Sequence, residues 1–211
     1  MKKIIALLLV LVMALSLMAC GSKEQAEDTK ETQGTEDTTP AAELPASALE
    51  IAETIWNSYK EEDKFSIYGG NSEYHFEQLE KDETYQMPSV PGVYDMTYAE
   101  NLANSMAISA ADMENVAAAA TMTHSMNANS FSCAVLELKE GTSVADFAKN
   151  TKEGILSNQW ICGAPEQMLI AAFGEKYVLV AFGGEAAMTP FEGYLTAAYA
   201  DAQILYSESM V

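Results

Sequence analysis

Arginine is absent from this chain of 211 residues. Its guanidinium fork is the usual grip on phosphate and carboxylate. Eleven lysines face 31 acids, for a formal net charge of −20, so the basic face that nucleic-acid binding requires is missing. Histidine is nearly as scarce, with only His75 and His124. A catalytic thiol needs a histidine partner, and neither histidine lies in a known local signature. The chain also lacks the G-x-S-x-G, H-E-x-x-H, P-loop and G-x-G-x-x-G spacings. No D-x-D-x-D-G calcium loop is present, so the acids of "EEDK" from Glu61 and "EQLEKDE" from Glu77 read as solvated faces. These absences favour a protein that is not an enzyme and carries no cofactor.

Cysteine is also rare, and the first of the three has a telling position. Met1-Lys2-Lys3 is a positive start, and Ile4 to Ala19 carries no charge. As a helix those residues span roughly 24 Å at about 1.5 Å each, short of the ~20 residues that a permanent span needs. A positive start and a short apolar core describe an export signal over residues 1–19. The stretch Leu17-Met18-Ala19-Cys20 resembles a bacterial lipobox, with Met18 where a smaller residue is usual. The resemblance implies cleavage before Cys20, palmitate-type acylation there, and a lipid anchor in the cell membrane facing outside the cytoplasm. Two or more acyl chains meet the requirement for stable anchoring. The plainer alternative is an ordinary signal peptide with a chance cysteine.

From Gly21 to Ala46 there is no aromatic residue and one leucine, with seven acids against Lys23 and Lys30. Such a stretch cannot bury enough apolar surface to offset the entropy of ordering. It reads as an acidic tether, residues 20–46 with the lipidated cysteine, before a single domain over 47–211. The domain carries 24 acids against seven lysines. That balance favours cations, cationic peptides or neutral sugars as partners, or simply keeps an exported protein soluble.

Within the domain, Ser47-Ala48-Leu49-Glu50 is a capping box, and the apolar spacing from Leu49 to Tyr59 predicts a helix over 47–62. Gly69-Gly70-Asn71 marks a turn, and Pro88 and Pro91-Gly92 mark a loop. Between them Tyr74 to Gln86 reads as a short helix or an excursion. The segment 115–125 is ambiguous. Ala117 to Ala120 favour helix by propensity, whereas the alternation of Val116, Ala118, Ala120, Met122 and His124 favours a half-buried strand. "NANS" at 127–130 is a turn signal and "FSCAVLEL" at 131–138 a strand, so a hairpin is predicted. A helix follows over about 143–158. "QMLIAAF" and "YVLVAFG", joined by Gly174-Glu175-Lys176, predict a second hairpin. A last helix is expected from Thr189-Pro190 to about Tyr206. The order α-ββα-ββα predicts an α+β fold, a four-stranded, largely antiparallel sheet with helices packed on one face. Lipobox, acidic tether and an α+β domain ending in a "GEKYVLVAFGG" hairpin and a helix together resemble small lipoproteins of Gram-positive anaerobes with a C-terminal domain of unknown function.

Three residue sets bear on chemistry. Cys133 and Cys162 meet oxidant in an exported protein. The strand from Cys133 and the helix returning toward Cys162 bring them to one end, where a disulfide or two buried thiols would serve. If 115–125 is a strand, Met122, His124 and Met126 share a face, a soft donor set suited to Cu(I) or a gap-filling core face. Finally, nine of the 19 aromatic residues fall between Trp56 and Tyr98. Trp56, Tyr68, Tyr74 and Phe76 are candidates for a ligand surface, or they pin an irregular region to the sheet. The expected function is a membrane-anchored module binding a peptide, a sugar or an envelope protein. The alternatives are a soft-metal protein and a small secreted hydrolase.

Overall fold

Ser47 opens the first helix as expected. Its Oγ accepts the Glu50 N–H at 3.1 Å, while the Glu50 carboxylate turns back to accept the Ala46 N–H at 2.8 Å. The computed structural model describes residues 44–161 and 163–210. The expected signal segment, Cys20, the tether up to residue 43 and Cys162 lie outside the described residues. Helix α1 spans Ala48–Ser58 and buries Ile51, Ala52, Ile55 and Trp56. It stops before the expected residue 62, and a 3-10 turn, Glu61–Asp63, takes the chain onward.

Among the described residues the sheet has seven strands, so the expected four is an undercount. They are β1 (Ile67–Tyr68), β2 (Gly92–Tyr94), β3 (Val116–His124), β4 (Phe131–Leu138), β5 (Gln167–Phe173), β6 (Tyr177–Gly183) and β7 (Gln203–Ser209). All pairings are antiparallel, in the order β1-β3-β4-β6-β5-β7, with β2 also on β3. The α+β class therefore holds, as does each predicted hairpin, β3 with β4 and β5 with β6. The strand reading of 115–125 wins over helix propensity because the segment pairs on both sides. Just before it Ser109 caps a helix, accepting the Asp112 N–H at 3.0 Å, but that helix, α4 (Ala110–Met113), is a single turn.

Helices cover both faces of the sheet, not one. One core packs α1 and α6 (Glu185–Ala198) on Met122, Cys133, Val135, Leu169 and Leu179. The other packs α3 (Ala99–Ser105), α4 and α5 (Val144–Ser157) on Leu136, Met168, Ile170, Val178 and Val180. Topology explains the split. β4 connects through α5 to β5 across the intervening β6, and β6 connects through α6 to β7 across β5. The two crossovers step the same way along the sheet but leave from strands running in opposite directions. Crossovers of one hand, which right-twisted strands impose, must then lie on opposite faces. With both faces buried, β4, β5 and β6 are almost continuously buried runs, which reveal no face to a reader of the sequence.

The C-terminal expectation is corrected as well. Helix α6 starts at Glu185, where the Glu166 carboxylate accepts the first N–H at 2.8 Å. Pro190 lies inside the helix instead of opening it, and the helix ends at Ala198. What was expected as its last turn is strand β7, paired to β5 along the edge of the sheet.

Candidate functional site

β1 and β2 occupy the same edge of β3, end to end. Ile67 and Tyr68 pair with His124 and Thr123, and Gly92 to Tyr94 pair with Thr121 to Ala119. Between them the chain leaves the sheet at Gly69, forms α2 (Ser72–Lys81), and returns at Gly92. Where exit and return cross, the two backbones touch. A Cβ on Gly69 would lie 2.0 Å from the Gly92 nitrogen, so no larger residue fits. Gly70 has φ +76°, a conformation open to glycine. Its N–H donates to Thr121 Oγ1 at 3.0 Å, and that hydroxyl donates to its carbonyl at 3.1 Å. Asn71 completes the clasp, accepting the Asp95 N–H at 2.6 Å and donating to the Asp95 carbonyl at 3.3 Å. The side chain thus replaces a strand partner beyond the end of β2.

The excursion encloses an open cleft of about 420 Å³ between α2, the turn at Gly69 to Asn71, and the returning segment from Pro88 to Asp95. Tyr74, Val90, Val93 and Tyr98 line it and are 57, 50, 62 and 38 % exposed. That much accessible apolar surface in one place marks an interaction site more often than it serves stability. Clefts of this size, apolar with a few polar groups, are the usual form of a ligand site.

His75 forms part of the wall and is buried. Its Nε2–H donates to the Gly69 carbonyl at 2.8 Å, and its Nδ1 pairs with the Tyr85 hydroxyl at 2.9 Å. Both ring nitrogens are committed, so the imidazole pins α2 to the turn. Tyr68, Tyr74 and Tyr85 pack around it, with ring centroids 5.8, 5.5 and 6.1 Å away. The charged side chains lining the cleft are Glu77 and Asp95. Asp95 accepts the backbone N–H and the hydroxyl of Thr97, bonds that hold its carboxyl below the usual range. Below the cleft, burial first and then the Glu73 charge push the Tyr94 phenol up to about 12.

Of the four aromatic candidates, Tyr74 lines the cleft. Tyr68 is half-buried and packs behind it on His75. Phe76 is 61 % exposed on α2 but is not among the lining residues. Trp56 is core, packed edge-on against Phe65. Sequence reasoning missed the contribution of Val90 and Val93. Their signal was two valines in a proline- and glycine-marked loop, where apolar residues have no core to enter.

The soft-donor set is not gathered. Met122 is fully buried against α1 and α6, whereas Met126 is 86 % exposed beyond the end of β3. His124 stacks on Phe65, and its Nδ1 accepts the N–H of Met126 at 3.2 Å and of Asn127 at 3.4 Å. A bulge between Val116 and Ala118 also turns Val116 to the opposite face from Met122. Among the described residues no group of three or more His, Cys, Asp or Glu side chains could hold a metal ion. Cys133 is a free thiol buried in the middle of the sheet, and its expected partner Cys162 lies outside the described residues.

A second, more polar concavity of about 540 Å³ lies at the end of the sheet, between His124, Asn129, Glu166 and the start of α6. Its interior groups are largely spent on structure. Asn129 Nδ2 donates to the carbonyls of Ile161 and Gly163, each at 2.7 Å, and Glu166 caps α6. Four exposed large apolar side chains line the cleft at α2, and among the described residues none lines this concavity. No helix of the described residues is long and apolar enough to cross a membrane. Compared with protein-family models, curated proteins and solved structures, the chain matches none.

Proposed function

We propose that this chain is an extracytoplasmic lipoprotein, anchored by lipid on Cys20, whose domain binds a ligand in the cleft between α2 and β2. The observation that carries the binding role is the exposed apolar rim of Tyr74, Val90, Val93 and Tyr98 around a cleft whose histidine is fully bonded. Anchoring rests on the lipobox-like stretch ending at Cys20 and the charged, aromatic-free tether after it.

Two experiments test the two parts. Full-length protein made in a bacterial host supplied with labelled palmitate takes up label, and Cys20→Ser does not; uptake by the variant overturns the anchor. For binding, the full-length chain in detergent is screened by thermal shift against peptides, sugars and metal ions. A ligand at about 100 times its Kd stabilises by about 2.7 kcal/mol, a rise of roughly 5–10 °C for a domain of this size. Val93→Lys places a positive charge on the exposed rim without touching the core and is expected to abolish the shift. A shift that survives Val93→Lys moves the site elsewhere.

A further inference from the structure

We propose that the cleft recognises an organic cation, an ammonium or guanidinium group on an apolar stem. This rests on the reading of the cleft as a ligand site and adds the chemistry of what enters it. Among the described residues every charged side chain lining the cleft is an acid, Glu77 from α2 and Asp95 just after β2. Asp95 is held ionised by Thr97, which takes Oδ1 and leaves Oδ2. Glu77 is shared with Lys81 one turn along α2, at 3.5 Å, but both partners are more than half exposed, and a bridge so solvated yields readily to a competing cation. Behind this front, Glu73 binds Asn101 and Ser72 and adds a third negative charge near Tyr68 and Tyr94.

The aromatic groups complete the match. Tyr74 and Tyr98 line the cleft with much of their surface accessible, and an exposed tyrosine face attracts a cation placed over it. Pro88, Val90, Pro91 and Val93 supply an apolar strip for the stem. A carboxylate ligand would meet two acids and no lysine in the described lining, and a wholly apolar ligand would make no use of either carboxylate. The rest of the domain supports the same sign, since 24 acids against seven lysines steer cations toward its surface.

The test is calorimetric titration of the full-length chain in detergent with four probes. Three are blocked tripeptides, alanine-X-valine, with X lysine, norleucine or glutamate; the fourth is pentylamine. The lysine peptide binds, norleucine binds more weakly, and glutamate does not bind. Removing one screened charge with Asp95→Asn, which keeps the oxygen that Thr97 needs, weakens lysine binding about 2- to 5-fold. Tyr74→Ala weakens it about 3- to 10-fold. Pentylamine as tight as the lysine peptide supports the same chemistry with a free amine as its source; much weaker pentylamine supports a peptide. Norleucine as tight as lysine, with both lost in Tyr74→Ala, overturns the cation while the binding cleft stands. No binding by any probe overturns both. Lysine binding unchanged in both Tyr74→Ala and Asp95→Asn overturns the assignment to this cleft.

Discussion

Gly69 and Gly92 meet backbone to backbone. A Cβ built on Gly69 would lie 2.0 Å from the Gly92 nitrogen, and one on Gly92 would lie 2.7 Å from the Gly69 carbonyl carbon. The neighbouring atoms are main chain on both sides, so no side-chain rotation relieves the clash. This contact closes the base of the excursion that makes the cleft. Gly69→Ala is therefore expected to destabilise by about 1–3 kcal/mol, the range for overpacking a tight site. Urea unfolding measures it as a lower midpoint. An alanine variant with the native midpoint would show that the two segments separate at no cost.

Much of this excursion was legible beforehand. The Gly69-Gly70-Asn71 turn and the Pro88 and Pro91-Gly92 loop mark its two ends, and Tyr74 was a natural candidate for its inner surface. What could not be read was the pairing of β1 and β2, because strands of two and three residues carry no periodicity. Nor does the aromatic count separate Trp56, 4 % exposed, from Tyr74, 57 % exposed; that depends on which helix face meets the sheet. The sheet order was hidden for a different reason. A hairpin reads as local alternation, but the insertion of β6 between β4 and β5 follows from crossover geometry over some thirty residues.

The thiol of Cys133 ties stability to alkaline pH. Burial pushes its pKa well above its ordinary value near 9, so the folded protein keeps the proton where the unfolded chain loses it. With more protons bound in the folded state, stability falls as pH rises past about 9, with a slope of up to ~1.4 kcal/mol per pH unit. Below that pH the thiol is protonated in both states and contributes no slope. Unfolding by urea at pH 8, 9 and 10 is expected to show the decline, and Cys133→Ala to show a shallower one whatever its absolute stability. An unchanged slope in the variant would assign the decline to other groups. Iodoacetamide should likewise label Cys133 in denaturant and spare it in the folded protein, which peptide mapping reads directly.

The C-terminal strand carries the last prediction. Pro190 within the reach of a helix pattern hides β7 in the sequence, yet β7 has a task that its own half-buried residues do not reveal. It pairs along β5 from Gln167 to Ala172, and β5 is buried from Met168 to Phe173. Removing residues 203–211 would leave β5 as an edge, with unpaired backbone groups beside an apolar run of methionine, leucine, isoleucine and phenylalanine. Such an edge is a template for pairing with another chain. The strand itself is unlike β5: Lys152 reaches across from α5 to bond Glu208 and covers the Tyr206 ring at 4.5 Å. The ion pair at Glu208 and the ammonium over the ring make β7 a poorer template than the strand it shields. The truncated protein is therefore expected to associate, eluting early in size exclusion and binding dyes specific for β-aggregates, while the intact chain does not. A truncation that behaves as the intact chain does in both assays would show that α5 and α6 protect β5 without help from the edge strand.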